Sequence, residues 1–199
     1  MRRFSPCLLL GLLALAQPLA AQSNGFSAGG AVILGLDSLK KATNNTLGFT
    51  VAADYDSLIW NTDIPARLGL TYADLPGKEN FGLKTSLTLL QFHGDLFLDT
   101  DLPALRGILG ISFNRYGMTT SGTEDTADPM DVDHHFPIRQ AKGLKLGARV
   151  GLAYRFSKAV SGELLLQQTE LAGKDLEDPL VRQGGINPAW FQLGVTYHF

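Results

Sequence analysis

Cysteine is nearly absent. The 199-residue chain has one, Cys7, and it lies in an N-terminal stretch with the make-up of a secretory signal peptide. Arg2 and Arg3 precede an apolar run at 7–15, and small residues follow at Ala16, Ala20 and Ala21; this is the charged, apolar and small-residue order of an export signal. The run is too short to be an anchor, since crossing a bilayer takes roughly 20 apolar residues. Cleavage is expected after Ala21, which divides the chain into a signal peptide, 1–21, and one mature domain, 22–199. Cys7 follows Phe4-Ser5-Pro6 and not a small-residue box at the cleavage site, which argues against a lipoprotein. The mature domain therefore has neither a disulfide nor thiol chemistry.

Two further absences narrow the field. The mature chain has no second long apolar run, so a membrane location would not be reached with helices; strands in a closed barrel are the alternative. Nor does it carry an excess of positive charge. Without Arg2 and Arg3, 15 Lys+Arg stand against 19 Asp+Glu, a net of −4. No basic patch with interleaved aromatics appears, which excludes nucleic acid as an expected partner. No cofactor is expected.

What the chain has is period-two alternation. From the end backwards, Phe199, Tyr197, Val195, Leu193 and Phe191 fall on one face; His198, Thr196, Gly194, Gln192 and Trp190 fall on the other. Over 144–156, Leu144, Leu146, Ala148, Val150, Leu152, Tyr154 and Phe156 oppose Lys145, Gly147, Arg149, Gly151, Ala153 and Arg155. The same rule holds near 47–55, 66–73 and 105–114, and more weakly over 26–36 and 160–171. Segment 83–98 is long and changes phase near Leu89-Leu90, which predicts a bulge;. The total is about eight strands, an even number as bacterial barrels require.

The sense of the alternation separates a membrane barrel from a soluble sandwich or a soluble ligand-binding barrel. One face is Leu, Val and Phe with Tyr or Phe near the strand ends; the other is Gly, Ala, Ser, Thr and ionisable residues, a poor dry core. Lipid outside and a polar lumen inside fit that division. Connection lengths agree. Outer loops are expected at 37–46, 74–82, 117–143 and 172–188, and inner turns at 56–64, 99–104 and 157–159. The predicted fold is all-β: an eight-stranded antiparallel up-and-down transmembrane β-barrel preceded by a signal peptide.

The ending Trp190-Phe191-Gln192-Leu193-Gly194-Val195-Thr196-Tyr197-His198-Phe199 resembles the last strand of bacterial outer-membrane proteins. The hairpin Gly151-Leu152-Ala153-Tyr154-Arg155-Phe156-Ser157-Lys158 resembles the penultimate inner turn of their small barrels. The similarity is to the superfamily of the OmpA, OmpX and OmpW barrels. It implies an outer-membrane location, and folding through periplasmic chaperones and the barrel assembly machinery. It also implies that Phe191, Leu193, Val195, Tyr197 and Phe199 form a C-terminal assembly signal. Outer-membrane lipid is the surrounding partner and a monomer is expected.

On the lumen face the pattern places Asp54, Arg67, Asp95, Arg106, Lys145, Arg149, Arg155 and Glu163, with His93 and His198. In a barrel this small such residues fill the interior as an ion-pair and hydrogen-bond network; a narrow charged conduit is the alternative. Glu124, Asp125, Asp128, Asp131, Asp133, His134 and His135 gather in the longest loop. The adjacent histidines lack the i, i+4 spacing that sets two metal ligands on one face, so the expectation there is a solvated acidic loop without a metal. Asn44-Asn45-Thr46 reads as a polar loop tip. Lipid A deacylases and acyltransferases also use small barrels, but the deacylase-type His-x-Ser does not occur. Catalytic residues are therefore not expected. The predicted role is a non-enzymatic barrel for structure, surface interaction or small-molecule passage, with a lipid-modifying enzyme or a soluble binding barrel as alternatives.

Overall fold

A computed structural model describes residues 25–59, 62–80, 83–122, 137–172, 176–177, 185–186 and 188–199. The expected signal peptide and the acidic, His-containing cluster at 124–135 lie outside these residues. Eight long strands make the wall: β1 (Gly25–Gly35), β2 (Leu47–Leu58), β3 (Pro65–Leu75), β4 (Leu83–Asp99), β5 (Leu105–Gly122), β6 (Pro137–Arg155), β7 (Val160–Ala172) and β8 (Ala189–His198). Each pairs antiparallel with the next, and β8 pairs with β1, so the sheet closes on itself.

The register fixes the barrel's dimensions. Cross-strand partners run from Gly25 through Asp56, Arg67, Asp95, Gly110, Arg149, Gln167 and Trp190 back to Gly35 on β1. One circuit thus climbs ten residues. Ten steps of ~3.3 Å against eight spacings of ~4.8 Å tilt the strands by ~41° and give a girth of ~50 Å, or a backbone diameter of ~16 Å. A tube that narrow is filled by its own side chains.

Short turns join the strands at one end, hereafter the turn end, and each is pinned by a hydroxyl. Thr62 Oγ1 accepts from the Ile64 amide, Thr100 Oγ1 accepts from the Leu102 amide and donates to the Leu105 carbonyl, and Ser157 Oγ accepts from the amides of Ala159 and Val160. Such side-chain to backbone bonds close tight turns without glycine. At the other end, the loop end, β4, β5 and β6 reach 17, 18 and 19 residues. A tilted strand crosses a bilayer in about 9–11, so three strands stand well clear of the membrane zone. The expected loop 117–143 is correspondingly shorter, because β5 continues to Gly122 and β6 starts at Pro137.

Outward-facing positions form an apolar belt. Leu68, Leu70, Phe92, Leu109, Ile111, Phe113, Val150, Leu152, Leu164, Leu193 and Val195 are all exposed, which a water-soluble protein of this size does not tolerate over a contiguous surface. From Leu105 to Arg115 the belt is ten residues tall, ~25 Å along the axis at this tilt. Aromatic pairs border it at the turn end: Phe26–Tyr55, Tyr154–Phe156 and Tyr197–Phe199, each with ring centroids 5.2 Å apart. Phe49 and Tyr72 mark the loop-end border. Asp74 and Arg115 are the first outward charges above it.

The predicted bulge at Leu89-Leu90 is absent. The register of β4 with β3 and with β5 is continuous throughout. Leu87 and Leu89 point inward and Leu90 and Phe92 outward, so the apolar face switches because the lumen itself turns apolar at the loop end. The register shifts that do occur lie at Thr120/Ser121, in the β5–β6 ladder, and at Leu146/Ala148, in the β6–β7 ladder.

The predicted loop 37–46 is partly helical. Helix α1 (Asp37–Thr43) ends on Asn44, whose φ of 47° is the left-handed geometry that commonly terminates a helix;. Lys40 and Lys41 sit in its last turn, where cations complement the helix dipole;. Asn44 and Asn45 serve as ties: Asn44 Nδ2 donates to the Glu79 carbonyl, and Asn45 Nδ2 to the carbonyls of Leu47 and Pro76. The Lys78 amide donates to the Thr43 carbonyl, which lashes α1 to the β3–β4 loop.

Candidate functional site

The lumen is layered. At the loop end, Leu39 of α1 enters it and is wholly buried with Ile33, Leu75, Leu87, Leu89, Met118 and Trp190, a dry plug completed by Ala73 and Tyr116. Below the plug lies a polar layer. Gln91 Nε2 donates to Asn114 Oδ1 at 2.7 Å, and Asn114 Nδ2 donates to Ser112 Oγ and to the Thr169 carbonyl, both at 3.0 Å. Arg149 reaches Gln91 Oε1 at 3.5 Å and Asp95 at 3.4 Å. His93 Nε2 lies 3.3 Å from Asp54 and 3.7 Å from Asp95.

Arg67 is the hub. It lies on β3 and crosses the lumen to donate from Nη1 to Glu163 Oε1 on β7 at 2.7 Å, while its Nε donates to Asp56 Oδ1 at 2.8 Å. Asp54 is 3.9 Å from the same Nε, and the guanidinium carbon stacks 4.8 Å above the Phe97 ring. Thr196 Oγ1 donates to Glu163 Oε1 as well. Buried charges persist only when paired and hydrogen-bonded, and here the carboxylates of Asp54, Asp56, Asp95 and Glu163 surround the guanidiniums of Arg67 and Arg149 and the His93 ring. Polar atoms of Asp54, His93, Asp95, Gln167 and Arg149 in this layer have no hydrogen-bonding group in suitable geometry among the described residues.

Glycines supply the space. Gly69 stands against the Asp54 carboxylate and the His93 ring, and Gly110 against the Asp95 carboxylate; a methyl at either would overlap them. The glycine-rich inner face is thus the counterpart of the large polar side chains it opposes.

Of the residues read from the sequence, Asp54, Arg67, His93, Asp95, Arg149 and Glu163 meet in this one buried layer. Lys145 is half-buried higher up. Arg106 and Arg155 are at the turn-end rim. Half-buried Arg106 pairs with the well-exposed Asp99 at 3.1 Å, and Arg155 is exposed.

Sequence reasoning missed Asp56, which it assigned to a turn, and Ser161. At the turn-end mouth, Ser161 Oγ lies 2.9 Å from His198 Nε2, and His198 Nδ1 lies 3.1 Å from Asp56 Oδ2. The signal for Asp56 was available, because the alternation of β2 runs on through Asp54 to Asp56; nothing in the sequence singles out Ser161. Among the described residues no group of three or more His, Cys, Asp or Glu is arranged to hold a metal.

No family model matches the chain, and no curated protein sequence matches it. Solved structures do. Neisserial surface protein A superposes with a TM-score of 0.58 at 12% identity, covering 91% of this chain and 100% of that one. A major outer membrane protein from Thermus thermophilus gives 0.54 at 14% identity, over 89% and 100%. Ail, the attachment invasion locus protein of Yersinia pestis, in complex with the heparin analogue sucrose octasulfate, gives 0.50 at 13%, over 88% and 97%. The fold of this chain is that of the small eight-stranded bacterial outer-membrane β-barrels.

Proposed function

We propose that the protein is a plugged outer-membrane barrel, a structural element of the envelope that presents its loop end to the exterior. The observation that carries this reading is the dry plug. Leu39, Ile33, Leu75, Leu87, Leu89, Met118 and Trp190 fill the loop end of the lumen with packed apolar side chains, whereas a passage for ions or polar solutes needs a polar lining. The charge-free belt between aromatic borders supports residence in lipid. The three tall strands β4–β6 support a role in surface contact, since they lift their connections clear of the membrane zone. Lipid is the partner along the belt. Periplasmic chaperones and the barrel assembly machinery act during insertion, with Phe191, Leu193, Val195, Tyr197 and Phe199 as the segment they read. A monomer suffices, because within the membrane zone each of the eight strands is paired on both sides;.

Planar-bilayer recording tests the plug. The folded protein is expected to give no steady unitary current, and a stable conductance would overturn the plugged reading in favour of small-molecule passage. Heat-modifiable migration on gels and recovery in the outer-membrane fraction test the location. Recovery from the periplasm without detergent would refute it.

A further inference from the structure

The turn-end mouth carries an arrangement that a plug does not require. Ser161 follows the tight turn at 156–159 and faces inward, with its Oγ 2.9 Å from His198 Nε2. His198 Nδ1 is 3.1 Å from Asp56 Oδ2. The carboxylate is itself held in place, because Arg67 Nε donates to Oδ1 at 2.8 Å and Ser27 Oγ donates to Oδ2 at 3.3 Å. An ionised carboxylate can only accept, so Nδ1 of His198 carries the hydrogen in that contact. In the neutral ring the Nε2 lone pair then faces the Ser161 hydroxyl, which is the tautomer a general base needs. Nucleophile to base, base to orienting carboxylate, and carboxylate to a fixed guanidinium make a complete sequence of contacts.

We propose that Ser161 and His198, oriented by Asp56, hydrolyse small anionic esters that enter from the turn end. The size limit comes from burial: Ser161 is 4% exposed and the His198 side chain 17%, so a compact acyl group reaches the hydroxyl and a bulky one does not. The preference for negative charge comes from Arg155. It lies directly across the β6–β7 ladder from Ser161, is exposed, and makes no ion pair among the described residues. Lys158, exposed in the adjoining turn, adds to the field. Directly opposed residues of neighbouring strands have Cβ atoms ~4.5–5.5 Å apart, which brings the Arg155 guanidinium within reach of an acyl group on Ser161.

The chemistry closes with water as the only co-reactant. Ser161 Oγ adds to the ester carbonyl carbon while His198 Nε2 takes the hydroxyl proton. The tetrahedral adduct expels the alkoxide, which leaves as the alcohol with the proton returned by His198. A water molecule, deprotonated by the same nitrogen, then adds to the acyl-serine, and collapse releases the acid and restores the Ser161 hydroxyl. Arg155 supplies positive charge beside the oxyanion in both steps. The site departs from the expectation of a chain without catalytic residues, and it does not depend on the loop end being plugged.

A purely structural hydrogen-bond chain would show the same distances, so the experiment must read nucleophilicity. The mature protein, purified from outer membranes in detergent and verified as folded by its heat-modifiable migration, is treated with a fluorophosphonate probe and mapped by peptide mass spectrometry. Labelling of Ser161 is expected, with loss in Ser161→Ala and a fall of ~10²-fold or more in rate in His198→Gln. p-Nitrophenyl succinate is expected to turn over ~10-fold faster than p-nitrophenyl butyrate, with the difference removed by Arg155→Gln. Equal rates on the two esters in the wild type would overturn the anionic preference. A folded wild-type barrel without label on Ser161 and without turnover above Ser161→Ala would overturn the site, whatever the stability of the variants.

Discussion

Arg67→Met tests whether the polar layer holds the barrel together. The substitution keeps the aliphatic stem and removes the guanidinium, which contacts Glu163 at 2.7 Å and Asp56 at 2.8 Å and stacks on Phe97. At an effective dielectric of ~20, each of the two close contacts amounts to ~6 kcal/mol of Coulomb attraction. Desolvation of the three ions offsets much of that, so the net contribution of the pairs to folding is small. Deletion measures something different. It strands Asp54, Asp56 and Glu163, all inward and largely buried, without the cation that faced them, and removing one partner of a buried pair costs ~3–5 kcal/mol. With a urea slope of ~2 kcal/mol/M, a loss of ~4 kcal/mol lowers the unfolding midpoint by ~2 M. The assay is equilibrium unfolding of the barrel in lipid vesicles, followed by tryptophan fluorescence and by gel migration. The double variant Arg67→Met/Glu163→Gln should recover ~1 kcal/mol or more, because one stranded charge is gone and the pair is coupled. A single variant within ~1 kcal/mol of wild type, or a double variant worse than the sum of the singles, would refute the view of Arg67 as the hub.

Three further outcomes follow from the geometry. Gly69→Ala forces a methyl against the Asp54 carboxylate and the His93 ring, for an expected loss of ~1–3 kcal/mol; Gly30→Ala, whose added carbon meets only the Thr50 carbonyl oxygen at an ordinary 3.7 Å, serves as a control near neutral in the same unfolding assay. Ile111→Arg places a charge near mid-belt and should cost ~2–4 kcal/mol, against ~0–1 for Thr88→Arg at the loop-end border; equal costs would contradict the placement of the belt. Leu39→Ala removes the α1 side chain from the plug, with a loss of ~2–5 kcal/mol. In a Trp60→Phe background it should also make Trp190 more accessible to acrylamide quenching, and unchanged quenching would mean that α1 does not seal the loop end.

The wall was legible wherever two solvents bound it. Along 144–156 and 191–199 every second side chain meets lipid, so the alternation is strict and the strands could be read directly. It became unreadable where that constraint lapses. Above Arg115 the ladder of β5 and β6 continues outside the membrane zone, where no apolar outer face is required, and the sequence there looked like loop. At Leu87 and Leu89 the inner face is as apolar as the outer one, and a change of lumen chemistry mimicked a change of strand phase. Helix α1 is seven residues long, too short to show a helical period, and contributes a single buried leucine to the plug. The polar layer could be assembled as a list because each member sits at an inward position. Its pairing could not, because Arg67 and Glu163 are 96 residues apart and on strands that are not neighbours.

The same narrowness explains why the lumen behaves as one unit. A ten-residue climb over eight strands leaves a bore of side-chain width, so inward residues of non-neighbouring strands touch: β3 reaches β7, on the opposite wall, through Arg67 and Glu163, and β2 reaches β8, across β1, through Asp56 and His198. Neighbouring strands are held by backbone ladders and distant ones by these polar bridges. Asp56 belongs to both systems, since one oxygen faces Arg67 and the other faces His198. The orientation of His198 toward Ser161 is therefore set by the hub that stabilises the barrel, and the carboxylate cannot swing away from the imidazole without breaking its bond to a guanidinium already committed across the lumen. Rigidity of that kind is what a positioned base requires, and here it is a by-product of packing charge into a tube too narrow for anything else.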